Sequence, residues 1–286
     1  MISPFNKYQS IEDIQPDLKS EDVIVYPICD NILFVARKCL NPIDNDYIVY
    51  DKNLATVVGL FHKQIQLFSE FYDSYKKRKM YMCLILQRII YEAYIKMLFL
   101  IKHGEKAQIE YRLCSYKARK SFYEDSHDVH NGYISVRNNK FTLDLKDDGF
   151  ELNDLSKSKK SFGGKSFKQL MEEIEDNKSL YSSLYGLVSD SIHSDWGDLR
   201  QIYLKKTPDN DYVAMLDKIP TGHYRYLIPM ASLLIDSCEH FVNREHGYDL
   251  NRAFLPLLKE LHRVCELIMM SVFTDYQNNP DKYMLE

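Results

Sequence analysis

The sequence predicts a mainly α-helical protein, a multi-helix bundle with small β-hairpin insertions and an irregular N-terminal arm. Over residues 53–79, 80–103, 106–125, 224–245 and 250–276, apolar residues recur every three or four positions, which is the period of an amphipathic helix. Between these helices, some stretches alternate apolar and polar residues with a period of two, and others are rich in lysine, serine and glycine. With 286 residues, 45% of them hydrophobic, the chain is long enough to bury a core.

Residues 1–52 are predicted to form the irregular arm. Pro4, Pro16, Pro27 and Pro42 are too closely spaced for a long helix. The runs at 23–26 and 32–35 contain β-branched residues, which favour short strands. Residues 53–286 are predicted to form one helical bundle domain, with insertions at about 128–166 and 197–222.

The helix at 80–103 is apolar on most faces, which predicts a central position in the bundle. We expect Gly104 to end this helix, because glycine readily adopts the left-handed conformation that follows a helix terminus. The last helix, 250–276, has a wide apolar face, and this face is predicted to pack on the central helix or to form a homodimer interface.

The two insertions are predicted to contain hairpins. In the first, apolar residues alternate over 133–136 and 141–145, on either side of Asn138-Asn139, a pair that favours a tight turn. In the second, the sequence Thr-Pro-Asp-Asn at 207–210 is typical of a turn. Residues 156–168 are predicted to be a surface loop.

Composition excludes several classes of protein. The 37 basic and 41 acidic residues give a net charge of −4, which argues against binding to duplex DNA. The most apolar stretch, 83–101, contains Arg88, Glu92 and Lys96 at a spacing of four, so no membrane span is predicted. The six cysteines form no C-x-x-C pair and the N-terminus has no signal-peptide pattern, which together predict reduced thiols and a cytoplasmic protein. No cofactor is predicted.

The loop Phe162–Ser166 ends in Gly-Lys-Ser, as phosphate-binding loops do. The glycine required five positions before the Gly of that tripeptide is replaced by Lys159, and no buried strand precedes it, so a phosphate-binding loop is not predicted. The lysines of this region, among them Lys160 and Lys165, either steer a phosphate-bearing partner or form a solvated loop.

His127 and His130 lie among acidic residues at 125–130. Imidazole and carboxylate groups bind transition metals, but a site also needs ligands from elsewhere in the chain. The sequence therefore predicts no metal.

Two stripes of polar residues predict a buried network. Arg88 and Glu92 lie on one face of the central helix. A later helix carries hydroxyl and imidazole groups every four residues and ends near a carboxylate; these residues are Tyr181, Tyr185, Ser189, His193 and Asp195. Burying such groups unpaired costs several kcal/mol, so Arg88 and Glu92 are their expected partners.

The order Arg-x-x-x-Glu, then Tyr-x-x-x-Ser-x-x-x-His far downstream, resembles the bacterial helical family of domain of unknown function 5677, over residues 53–276. That resemblance implies a helical fold and no known activity. The chain also resembles, more weakly, the HEPN bundles of prokaryotic toxin and phage-defence ribonucleases, which carry Arg-x4-6-His on one helix. Here the fifth to seventh positions before His193 are Val188, Leu187 and Gly186, so the arginine would have to be Arg88 or Arg112.

Two functions remain open at this point. The first is a binding or regulatory protein whose polar network either fixes the register of the helices or lines a pocket for a small polar ligand or phosphate group. The alternative is a metal-independent ribonuclease in which His193 transfers the proton, Arg88 or Arg112 stabilises the phosphate charge, and Glu92 or Tyr185 orients them. RNA or a phosphate-bearing ligand is the expected partner.

Overall fold

The computed structural model describes residues 5–41, 48–126, 132–157, 162–175, 196, 204–209, 211–214, 223–243 and 253–279. The chain divides into two compact units. The first unit combines Met1–Ile48, Phe61–Tyr94 and Ser179–Glu286, and the second combines Val49–Leu60 and Ile95–Lys178.

The predicted mainly α-helical class is confirmed. The described helices are α1 (Ile11–Ile14), α2 (Val25–Leu40), α3 (Leu54–Lys76), α4 (Met80–Ser115), α5 (Lys117–Ser126), α6 (Gly132–Asp147), α7 (Leu152–Lys157), α8 (Phe167–Ile174), α9 (Tyr224–Val242) and α10 (Leu255–Asn278). Short 3-10 turns form at Asp17–Lys19 and Phe162–Gly164. None of the described helices is long and apolar enough to cross a membrane.

The predicted hairpin of the second insertion is present. Strands β1 (Leu204–Lys206) and β2 (Tyr212–Ala214) pair antiparallel, with Leu204 opposite Ala214. The amide of Thr207 donates to the carbonyl of Asp211 at 2.8 Å and closes the connection. A tight hairpin therefore forms where the turn sequence indicated it.

In the first unit, α2 packs on α9, and α10 packs on α9, α2 and α1. The prediction of short strands in the N-terminal arm is wrong for residues 25–40. Pro27 lies in the first turn of α2, where its missing N–H has no helical acceptor to lose. Helical spacing then buries one face of α2, including Ile28, Ile32 and Val35, and this packing overrides the β preference of single residues.

The prediction of a hairpin at 133–145 is also wrong, because this segment is the helix α6. Its buried residues, Asn138, Phe141 and Leu145, are spaced three and four apart. Phe141 and Leu145 pack with Tyr116 and Leu155 in the core of the second unit. Burial of this helical face outweighs the turn preference of the two asparagines and the period-two pattern.

Gly104 interrupts α4, as predicted from the sequence. Its φ of 63° lies in the left-handed region, which glycine adopts without a Cβ clash. Gly104 therefore divides α4 into two helical stretches that meet at a kink.

The apolar face of α10 is buried within the first unit, on Leu258, Leu261, Val264 and Ile268. The face packs mainly on α9, α2 and α1 and not on the central helix α4, the partner that the sequence predicted within the chain. A homodimer remains a prediction, and it would have to use another surface of the protein.

The cysteines are free thiols, and all are buried except the half-buried Cys114. Burial raises the pKa of the Cys83 thiol to about 11 and that of Cys265 to about 12. Because the thiolate is the reactive form, these thiols are protected in the folded state.

We expect the folded protein to react with a disulfide reagent at Cys114 first. Titration at pH 8 should show one fast equivalent per chain out of the six cysteines, and all six should react in denaturant. Cys114→Ser should remove the fast phase. A fast equivalent that remains in this variant would contradict the burial of the other thiols.

Replacing Leu145 by alanine should lower the free energy of unfolding by about 2–5 kcal/mol, because it opens a cavity in a packed core. Leu145 is 3% exposed and Leu143 is 66% exposed, so Leu143→Ala should change the free energy by no more than about 0.5 kcal/mol. Urea unfolding measures both. A strand would place 143 and 145 on one face, so equal losses would contradict the helix.

Candidate binding cleft

Of the predicted polar network, the structure describes Arg88 and Glu92. Arg88 and Glu92 are half-buried on α4, next to the buried side chains of Gln87 and Tyr91. The proposed partners lie outside the described residues; they are Tyr181, Tyr185, Ser189, His193 and Asp195. The pairing of the two stripes therefore stays a prediction.

Three other candidates of the sequence analysis also lie outside the described residues, namely Lys160, His127 and His130. Within the residues that the structure does describe, no group of three or more His, Cys, Asp or Glu side chains is placed to hold a metal ion.

Arg112 holds together three segments of the second unit. Its Nη2 donates to Asn53 Oδ1 at 2.9 Å, just before α3, and its Nη1 lies 3.3 Å from Asp148 Oδ1, just after α6. The guanidinium also lies over the ring of Phe150, 5.2 Å from its centre. These contacts give Arg112 a structural role, although its Nε is buried without a hydrogen-bond partner among the described residues.

Lys165 forms an ion pair with Glu173, on α8 of the second unit. His103 Nε2 lies 2.6 Å from the other oxygen of the same carboxylate. Ser166 caps α8 by accepting from the amide of Gln169, whose side chain accepts from the Ser166 amide in return. Ser166 thus starts α8 with a capping box, and the Lys165 ammonium group is paired with Glu173.

The first unit contains a cleft that the sequence analysis did not predict. It consists of two hollows, of about 420 and 500 Å³, that share the lining residues Leu18, Lys19, His223 and Tyr224. The smaller hollow extends toward Glu21 and Arg78, and the larger one toward the last turns of α10. Both volumes lie in the range of small-molecule sites, about 300–1,000 Å³.

Glu21 fixes one wall of the cleft. Its carboxylate accepts hydrogen bonds from Tyr26 Oη and Arg78 Nη2, both at 2.9 Å, and from Tyr75 Oη. Burial, together with the hydrogen bond to Glu21, raises the pKa of Tyr26 to about 12. Both phenols therefore stay protonated donors at neutral pH, and the negative charge of Glu21 is compensated within the protein.

The N-terminus of α9 forms the floor shared by both hollows. His223 caps this helix, since its Nδ1 accepts from the amide of Arg225 at 3.1 Å. The His223 ring packs against the Tyr224 ring, with centres 4.2 Å apart. This end of the cleft thus combines aromatic surface with the positive end of a helix dipole.

Two polar side chains are available in the larger hollow. Ser271 is only 7% exposed and lines the hollow. Lys19, an exposed side chain, also lines the hollow, and it forms no ion pair with any residue in the described part of the chain.

One sequence signal could have pointed to Ser271. It follows Val264 and Ile268 at helical spacing on the buried face of α10, and a polar residue on such a face needs a partner. The other walls come from residues 15–22 and 223–224, which are too far apart in the chain for any local pattern to connect them.

Fold and site together define a mainly α-helical protein with a polar cleft in one of its two units. The chain belongs to the family of unknown function DUF5677, whose model matches residues 54–212, as the resemblance of the polar stripes suggested. Comparison with curated proteins and with solved structures finds no match. Of the cleft residues, only Arg78 falls within the matched range.

Glu173→Gln should destabilise the protein at neutral pH. Lys165, and to a lesser extent His103, holds the pKa of Glu173 below its usual value. The charged carboxylate therefore stabilises the fold at pH values above the normal glutamate pKa, and this contribution is lost as the pH falls through the lowered pKa.

The expected loss is about 1 kcal/mol at pH 7, because the Lys165 and Glu173 side chains are 38% and 22% exposed. It corresponds to a fall in Tm of about 2–4 °C and should shrink below about pH 4. Glu172→Gln is the matched control, since among the described residues Glu172 forms an ion pair only with Lys168, at 4.0 Å. A loss as large at pH 3 as at pH 7 would contradict the ion pair.

Proposed function

We propose that this chain is a binding protein and not an enzyme, and that the cleft of its first unit takes a small ligand with an anionic group. The observation that carries the proposal is the cleft itself, whose two hollows, of about 420 and 500 Å³, share Lys19 and the aromatic residues His223 and Tyr224. The proposed setting is the cytoplasm, where thiols stay reduced.

The charges that line the cleft are mixed: Lys19 and Arg78 are positive, whereas Glu21, Asp22 and Asp275 are negative. We expect an anionic group to bind at Lys19, the basic residue that both hollows share. Lys19 supplies a positive charge shared by both hollows, and the N-terminus of α9 adds the positive end of a helix dipole. Arg78 compensates Glu21. Asp275 lines the larger hollow at α10 and accepts a hydrogen bond from Asn279 Nδ2 at 2.7 Å.

Calorimetric titration of the full chain with inorganic phosphate and pyrophosphate tests the proposal. Lys19→Met should weaken binding about tenfold, and Ser271→Ala about threefold or more, because each removes a hydrogen bond to a charged group. Lys63→Met is the matched control, since Lys63 is an exposed lysine on α3 outside the cleft lining. Equal affinities for wild type and Lys19→Met would contradict binding in the cleft.

The ribonuclease alternative needs a separate assay. Mixed RNA incubated with the purified chain in EDTA should remain intact if the protein only binds its ligand. Cleavage that disappears in His193→Ala would overturn the proposal and support a metal-independent ribonuclease.

A further inference from the structure

We infer that the second unit forms a homodimer in which the outer faces of two α6 helices pack antiparallel. This surface differs from the cleft, which belongs to the first unit, and the inference does not depend on the proposed function. It starts from three large apolar side chains of α6 that face the solvent.

The exposed apolar residues of α6 are Tyr133, Val136 and Leu143, at 73%, 69% and 66% exposure. Together with Lys140 they follow one another at steps of three, four and three residues. This is the spacing of the a and d positions of a coiled coil, which align in a seam along one side of a helix. We name these four residues the α6 seam.

The opposite face of α6 fixes the orientation of the helix. Phe141 and Leu145 pack with Tyr116 and Leu155 in the core of the second unit. Because these residues hold the helix from behind, it cannot rotate to bury the α6 seam within its own unit. An exposed apolar surface on a folded protein commonly marks an interface.

Polar residues border the α6 seam on both sides. Arg137 and Asp144 follow it along one edge, and Asn139 and Lys146 follow it along the other. An apolar stripe this narrow is typical of a coiled-coil seam, whereas packing on a globular core or insertion into a membrane surface needs a wider apolar face. The partner that fits this seam is therefore another amphipathic helix.

Lys140 determines how two copies of α6 pair. In a parallel pair equivalent positions face each other, so the two Lys140 ammonium groups would repel. In an antiparallel pair each Lys140 faces Val136 of the second copy, and its methylene groups cover the valine while the ammonium group stays in water. Asp144 of the same helix lies 3.7 Å from that ammonium group and compensates its charge.

The antiparallel pair is self-complementary along the whole α6 seam. Tyr133 faces Leu143 of the second copy at each end, and the Val136 and Lys140 pairs lie between them. Every contact occurs twice, as a two-fold symmetric dimer requires. One short sequence thus supplies both halves of the interface, and this property favours a second copy of the chain over an unrelated helix.

The interface is one helix long. A pair of α6 helices, each of 16 residues, buries less than the roughly 1,200 Å² typical of stable complexes. We therefore expect a dimer that forms at high protein concentration and dissociates on dilution.

Sedimentation of the full chain over a range of concentrations tests the inference. The mass should rise from that of one chain toward that of two. Val136→Lys and Leu143→Lys should each abolish this rise, because they place a charge in the α6 seam. Lys140→Leu should tighten the dimer about tenfold, because it replaces a charged residue of the seam by an apolar one.

Phe273→Lys is the matched control, because Phe273 is another large apolar residue, 59% exposed, on α10 of the first unit. This variant should dimerise as the wild type does. Thermal unfolding shows whether each variant is folded. A constant mass of one chain in both the wild type and Lys140→Leu would overturn the inference. A dimer that survives Val136→Lys and Leu143→Lys would overturn its assignment to α6.

Disulfide trapping in a Cys114→Ser background tests the direction of the helices. Val136→Cys combined with Lys140→Cys should cross-link two chains on mild oxidation, because these positions face each other. Val136→Cys alone should cross-link poorly, since antiparallel packing shifts the two equivalent positions by about 6 Å along the helix axis. Efficient cross-linking of the single variant would indicate a parallel pair and overturn the antiparallel arrangement.

Discussion

The cleft of the first unit depends on the Glu21 carboxylate. A carboxylate this far removed from water, 17% exposed, is tolerated only when it is fully hydrogen-bonded. Its donors come from α2, from α3 and from the α3–α4 turn, namely Tyr26, Tyr75 and Arg78. Arg78 adopts a left-handed φ of 57°, which is uncommon for arginine. The network thereby fixes Lys19, two residues before Glu21, at the edge of the cleft.

The sequence was sufficient to predict the elements that depend on short patterns of neighbouring residues. Gly104, the hairpin at 204–214 and the apolar face of α10 all follow from short patterns that match their structural period. The errors in α2 and α6 share one cause. In both, residues that favour strands or turns lie in a helix whose buried face packs against residues distant in the chain. Secondary-structure propensity depends on neighbouring residues only and does not reflect those contacts. Asn138 shows this best, since its amide lies 3.5 Å from the Ser126 hydroxyl.

The site was harder to predict than the fold for a physical reason. The sequence suggests Arg112 as a residue that stabilises phosphate charge and Lys165 as one that steers a phosphate-bearing partner, yet both are held by carboxylates of their own unit. A sequence does not distinguish a basic side chain that forms an ion pair from one that forms none. The cleft, in contrast, combines segments near residues 19, 223 and 271, and most of it lies outside the region that defines the family. Relatives that share that region therefore need not share a ligand.

The helix α6 has a consequence for the protein when it is unfolded. Its outer face exposes Tyr133, Val136 and Leu143, at 73%, 69% and 66%, and the same segment retains the alternating, β-branched pattern of a strand. Packing in the native protein keeps this segment helical, but thermal unfolding removes that packing. Released segments of this kind pair between chains and assemble into cross-β aggregates. Heat inactivation should then be irreversible, so that shelf life is governed by the rate of opening and not by the equilibrium between states.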